Sequence, residues 1–136
     1  MKQRLSLFAT LSIILLFAAL AYAVQGVGKE VRFPKGKSAA TYVGRIPATD
    51  VDYDAYILRA RARQTLSVSL TSKDPAAHLI VYSLDRGPTD DQIAPAKPGV
   101  KSIRKWSGKL PEAGSYSVQV YGKRPRTPYS LTVSIR

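Results

Sequence analysis

From Thr65 to Thr71 the chain reads Thr-Leu-Ser-Val-Ser-Leu-Thr, with every even position apolar and every odd position a hydroxyl residue. A period of two sends successive side chains to opposite faces of an extended strand, so this segment has one face for a core and one for water. The pattern returns twice. Tyr116, Val118 and Val120 alternate with Ser115, Ser117 and Gln119, and Tyr129, Leu131, Val133 and Ile135 alternate with Ser130, Thr132, Ser134 and Arg136. The unbroken apolar run Leu79-Ile80-Val81-Tyr82 predicts a central strand covered on both faces, and Glu30 to Phe33, Ala40 to Ile46, Ala55 to Ala62 and Ile103 to Leu110 are weaker strand segments. Proline and glycine clusters such as Pro34-Lys35-Gly36, Lys73-Asp74-Pro75, Pro111-Glu112-Ala113-Gly114 and Gly122 to Pro128 separate them. The chain therefore reads as all-β, a small antiparallel β-sandwich of about seven or eight strands. Asp85 to about Gly99, with Pro88, Pro95 and Pro98, is its longest irregular stretch, a length that marks a mobile or functional loop.

Ahead of this domain, Lys2 and Arg4 precede an apolar run from Leu5 to Ala21, followed by the small-x-small site Ala21-Tyr22-Ala23. These are the three parts of a secretory signal, and cleavage is expected after Ala23. The competing reading is an uncleaved anchor, since Leu5 to Val24 is just long enough to cross a bilayer; the cleavage site and the polar Thr10 and Ser12 argue against it. Residues 1–23 are thus assigned as signal peptide and 24–136 as one domain, with no stable membrane insertion after cleavage. The chain has no cysteine, which excludes both disulfides and a cysteine-linked lipid. The 113 residues beyond Ala23 are enough to bury a core without staples.

Those residues include 19 of the 21 basic side chains and all 9 acidic ones, for a net charge of +10. A basic exported protein meets anionic glycan, lipid head groups or an acidic cleft on another protein; nucleic acid is the least available partner in an envelope and is not expected. Nothing points to catalysis. His78, the only histidine, stands at the start of an apolar strand without the partners a nucleophile system needs, although Asp74 is near enough in sequence to orient an imidazole. No cofactor and no metal site are expected. Asp50-Val51-Asp52-Tyr53-Asp54 resembles the opening of a calcium loop, but Ala55 and Arg61 stand where an EF-hand needs Gly and Glu. A looser calcium site at a sandwich edge stays open, beside the simpler reading that these aspartates end a turn and cap the next strand.

The basic residues fall into groups. Arg59, Arg61 and Arg63 alternate with alanines and are expected on one solvent face of a strand. Lys101, Arg104, Lys105 and Lys109 flank Trp106. Lys123, Arg124 and Arg126 sit with Pro125 and Pro128 in the last turn, where proline stiffening presents guanidinium forks at low entropic cost. A solvated hairpin tip whose charges guard against edge pairing is the plainer alternative.

Arg32-Phe33-Pro34-Lys35-Gly36-Lys37-Ser38-Ala39-Ala40-Thr41-Tyr42-Val43-Gly44, Asp52-Tyr53-Asp54-Ala55-Tyr56, Ala113-Gly114-Ser115-Tyr116 and the terminal Tyr129 to Ile135 together resemble the periplasmic inhibitors of goose-type lysozyme. The likeness spans most of the domain outside Tyr82 to Lys105. The chain is also similar in pattern to the pre-peptidase C-terminal sandwich, a binding module; the motif from Phe33 to Gly44, the Asp-Tyr-Asp-x-Tyr cluster and the single domain favour the inhibitor. That resemblance implies a protein with no catalytic residues whose loops enter the cleft of a goose-type lysozyme. It implies Asp52, Tyr53 and Tyr56 on one side of the contact and Lys123, Arg124 and Arg126 on the other. The alternative is a basic β-sandwich binding module for anionic glycan or lipopolysaccharide.

Overall fold

The strict alternations become the three longest strands of the computed structural model, which describes residues 28–49, 52–86, 91–95 and 103–136. They are β4 (Thr65–Ser72), β8 (Gly114–Tyr121) and β9 (Pro128–Ile135). With β1 (Gly28–Glu30), β2 (Ala39–Arg45), β3 (Asp54–Ala60), β5 (His78–Ser83), β6 (Gln92–Ala94) and β7 (Lys105–Lys109) they form two sheets, ordered β1-β3-β8-β5-β6 and β2-β9-β4-β7. Apolar residues at alternate positions of both sheets meet in the core: Tyr56, Leu58, Leu79, Val81, Tyr116, Val118 and Val120 from one, Leu66, Val68, Leu70, Tyr129, Leu131 and Val133 from the other. Each fully buried Val or Leu contributes about 1.5–3 kcal/mol relative to exposure, which is how the fold stands without disulfides.

The sequence segments correspond to seven of the nine strands among the described residues. The other two, β1 and β6, have three residues each, too short for an alternation to show. β1 overlaps the expected Glu30 to Phe33 segment only at Glu30 and pairs in parallel with β3, so the sheets are not wholly antiparallel. The centre of the larger sheet is β8; β5 lies next to it, with Leu79 and Val81 buried and Ile80 and Tyr82 half-buried on the outer face. The Asp85 to Gly99 stretch is not irregular throughout, because β6 lies within it; much of the rest of it, and all of the signal stretch, fall outside the described residues.

A second difference concerns the arginine series. β3 ends at Ala60, and Arg61 to Gln64 form a turn in which the Arg61 N–H donates to the Gln64 side chain at 2.7 Å. Arg63 has a φ of 68°. Arg59, Arg61 and Arg63 therefore do not share a strand face, because the side-chain acceptor of Gln64 closes the turn before the alternation can run on.

Strand direction decides which loops meet. Asp54 pairs with Val120, His78 with Tyr121, Arg45 with Pro128 and Ser72 with Tyr129. The entry to β3, the β4–β5 connection, the β8–β9 turn and the exit of β2 thus gather at one end of the sandwich, and the Arg61–Gln64 turn lies at the other.

Candidate functional site

Gly122-Lys123-Arg124-Pro125-Arg126-Thr127 joins β8 to β9. The Thr127 N–H donates to the Arg124 carbonyl at 3.3 Å, closing a β-turn with Pro125 second and Arg126 third. Proline presets φ at the second position, and the third takes a φ of 65°, a conformation that normally favours Gly or Asn. Holding a non-glycine residue there costs on the order of 1 kcal/mol or more, so the turn is kept by its surroundings. The Arg126 N–H donates to the Ile46 carbonyl at 2.8 Å and the Ile46 N–H to Thr127 at 2.9 Å, which carries the β2–β9 ladder into the turn. Arg45 adds a guanidinium N–H to the Arg126 carbonyl at 3.1 Å.

The other half of the turn is held from the β4–β5 connection. Asp74 is fully buried; its Oδ2 accepts the N–H groups of Lys123 at 2.7 Å and Arg124 at 2.8 Å, and its Oδ1 accepts that of Ala76 at 2.9 Å. Burial alone would raise the pKa of this carboxyl group, but the three N–H donors and the positive charge of Arg124 outweigh it and hold the pKa below the ordinary 3.8. Arg104 clamps the same connection, donating to the Ser72 carbonyl at 3.0 Å and to the Asp74 carbonyl. Such close approach requires glycine at the start of the turn: a Cβ on Gly122 would stand 2.6 Å from Asp74 Oδ2 and 2.7 Å from Ile46.

Beside the turn, Tyr53, Tyr121 and His78 form a row across the outer face of β3, β8 and β5. The Tyr53 and Tyr121 ring centroids are 5.2 Å apart, and His78 stacks on Tyr121 at 5.3 Å with planes 9° apart. His78 Nδ1 lies 2.9 Å from the Ala76 carbonyl, so the main chain and not Asp74 orients the imidazole. Tyr121 donates to Gln119 at 2.6 Å; burial, with smaller contributions from Tyr82 and Tyr53, pushes its hydroxyl up to about 12. Tyr53 itself remains 38% exposed at the edge of the row, and Asp52 is exposed next to it.

Tyr56 requires a correction. It points inward and is fully buried, and its hydroxyl lies 2.6 Å from that of Tyr129, which donates to Asp54 at 2.5 Å. With the Tyr129 proton directed at Asp54, Tyr56 is the donor to Tyr129. Burial raises the pKa of both phenols, and the neighbouring Asp54 carboxylate raises that of Tyr129 further. The alternation of β3 places Tyr53 outside and Tyr56 inside, so Tyr56 supports the β3 entry from within the core and has no surface to offer a partner in this fold. Tyr129 passes over Gly44, where a Cβ would stand 2.4 Å from its hydroxyl.

The fold thus brings Asp52 and Tyr53 to the same end of the sandwich as Lys123, Arg124 and Arg126. Among the described residues no hydrogen bond or ion pair engages the side chains of Lys123, Arg124 or Arg126, whereas Arg45 and Arg104 are committed to main-chain carbonyls. Asp74, Arg104, Gly122 and Tyr121 complete this end; the sequence marks Asp74, the most connected of them, only as part of a turn signal and as a neighbour of His78, and neither points to the β8–β9 turn. No group of three His, Cys, Asp or Glu side chains converges among the described residues. Asp54 is occupied by Tyr129, and Asp50 lies outside the described residues.

No protein-family model matches the chain, and no curated protein matches it. Solved structures do. The chain is 30% identical to the Aeromonas hydrophila PliG, a periplasmic lysozyme inhibitor of g-type lysozyme, with 81% of this chain and 96% of that one covered and a TM-score of 0.66. The Salmonella Typhimurium PliG is 25% identical over 82% of this chain and all of its own, with a TM-score of 0.59. A pre-peptidase C-terminal domain of a Bacillus anthracis collagenase shares the fold at 13% identity and a TM-score of 0.50, covering 80% of this chain and 94% of its own. Identity at that level over nearly the whole of the Aeromonas protein places the chain in a family and not only in a fold: it belongs to the PliG family of periplasmic inhibitors of g-type lysozyme.

Proposed function

We propose that this protein is exported through a signal peptide cleaved after Ala23 and inhibits a goose-type lysozyme, without catalysis of its own, by seating the Lys123–Arg126 turn and Tyr53 in the substrate cleft. The observation that carries this reading is the turn: its main chain is held by Asp74 and Ile46 while its three cationic side chains stay unengaged among the described residues. Family membership supplies the partner, since the PliG proteins are inhibitors of g-type lysozyme. Cationic forks with a fixed main chain suit a cleft that carries acid groups, where each gains charge-assisted hydrogen bonds and little ordering entropy is lost. Tyr53 adds an apolar body with a polar tip, and Asp52 lies on its flank.

The test is inhibition of goose-type lysozyme by Arg124→Ala, Arg126→Ala and Tyr53→Ala, each shown to be folded, against Arg61→Ala at the far end. Loss of a buried, paired Arg costs about 2–5 kcal/mol, a fall in affinity of roughly thirtyfold or more. Arg61→Ala changes affinity less than about twofold. Parent-like inhibition by all four variants refutes the site, and a parent that leaves the enzyme fully active at micromolar concentration refutes the function. Inhibition that vanishes at moderate salt, together with equal attachment to anionic polymer at low salt, favours the glycan-binding module instead.

A further inference from the structure

We propose that Asp74 is a positioning residue of the inhibitory site: it never touches the lysozyme, yet it holds Lys123 and Arg124 in the conformation that binds. The inference rests on the inhibitor reading above. Asp74 comes from the β4–β5 connection, and its contacts with the turn span 49 and 50 residues of sequence. Both of its oxygens are used, Oδ2 by two N–H groups of the turn and Oδ1 by Ala76 on its own loop, so the carboxylate fastens one loop to the other. Its main-chain carbonyl is in turn fixed by Arg104, which also holds Ser72. The side chain is therefore locked on its own loop before it reaches across, and Gly122 removes the Cβ that would stand in the way.

An acceptor with two carboxylate oxygens is required. In Asp74→Asn the amide presents one oxygen and one NH2 group, and the NH2 group must face either Ala76 or the paired N–H groups of the turn, where donor meets donor. The turn then samples conformations that do not bind, and the apparent affinity falls by the fraction lost.

The experiment measures inhibition of goose-type lysozyme by Asp74→Asn in the parent background and in a background carrying Arg124→Ala and Arg126→Ala, with amide hydrogen exchange at Lys123 and Arg124. We expect slow exchange in the parent despite the exposed side chains, faster exchange in Asp74→Asn, and inhibition weaker by about tenfold or more. In the double-arginine background the same substitution changes inhibition less, because Arg124, one of the two residues it positions, has lost its side chain; general destabilisation persists undiminished in both backgrounds. Parent-like inhibition by folded Asp74→Asn overturns the proposal, as does unprotected exchange of both amides in the parent, a result that holds even if the variant fails to fold. A parent that does not inhibit the enzyme overturns the inhibitor reading, and this role falls with it whatever the exchange rates.

Discussion

At one end of the sandwich the buried Asp74 accepts three main-chain N–H groups beside Arg126, whose φ is 65°; at the other, Arg63 has a φ of 68° and the exposed Asp85 accepts one N–H, from Ser115 at 2.7 Å. Both ends are basic, the first through Lys123, Arg124 and Arg126, the second through Arg59, Arg61 and Arg63. Charge alone does not tell them apart. Each end has a glycine against its carboxylate, Gly122 at Asp74 and Gly114 at Asp85, and they differ in burial: a buried carboxylate and a clamping guanidinium at one end, and at the other an exposed carboxylate and a partly exposed Arg86–Glu112 pair at 2.5 Å. The contact proposed above lies at the end whose main chain is held by a group water cannot reach.

The largest contrast is expected on removing the two carboxylates. Asp74→Ala leaves three partly buried N–H groups without their acceptor and costs about 3 kcal/mol, read as a lower denaturant midpoint at unchanged m; Asp85→Ala costs less than about 1 kcal/mol. Equal losses break the comparison. Acid sharpens it. Because the folded pKa of Asp74 is below its ordinary 3.8, its contribution is complete above that value and is lost as the pH falls through the lowered folded value. Asp74→Asn removes this part of the acid destabilisation, so the parent's advantage over the variant shrinks below about pH 4.

A smaller contrast concerns two buried phenols. Tyr129→Phe strands the Tyr56 hydroxyl and the Asp54 carboxylate at the site end and costs about 2 kcal/mol. Tyr116→Phe removes one bond at the far end, from its hydroxyl to the Glu112 carbonyl at 2.6 Å, and costs about 1 kcal/mol. Thermal unfolding of the two variants decides the order. The smallest effect on stability, and the one that best separates folding from binding, is expected from Arg126→Gly and Arg63→Gly. Each relieves a left-handed arginine at the expense of a more flexible unfolded chain, for a net gain of up to about 0.5 kcal/mol. Arg126→Gly alone loses inhibition. Equal inhibition by both variants places the contact elsewhere.

The long strands were legible because each buries one face against the other sheet, which writes the alternation into Leu66 to Leu70, Tyr116 to Val120 and Tyr129 to Ile135. The short β1 and β6 were not, since three residues carry no period. Arg59 to Arg63 misled for the opposite reason: the Arg-Ala alternation outlasts the strand, and only the Gln64 side chain ends it. At the site, the arginine turn was visible from its prolines, and Tyr53 from its place before β3. Tyr56 entered the contact only through the family resemblance, whereas the even positions of this strand, Tyr56 and Leu58, face the core. The role of Asp74 was hidden because it rests on contacts some 50 residues away, and such pairing has no local signature.

The pairing of β2 with β9 bears on when this end of the molecule comes into being. The side-chain hydroxyls of Thr41 and Thr132 meet across that pair at 3.0 Å although 91 residues separate them, and the same ladder continues into the turn through Ile46. Closing so long a loop precedes any reward from the contacts it allows, so sandwiches of this kind fold in milliseconds to seconds and not in microseconds. A chain emerging in sequence order has Ile46 early and Arg126 late, and the left-handed arginine cannot be held until its early partner is met. A chain that ends before Arg126 therefore cannot present this turn, however much of the sandwich precedes it.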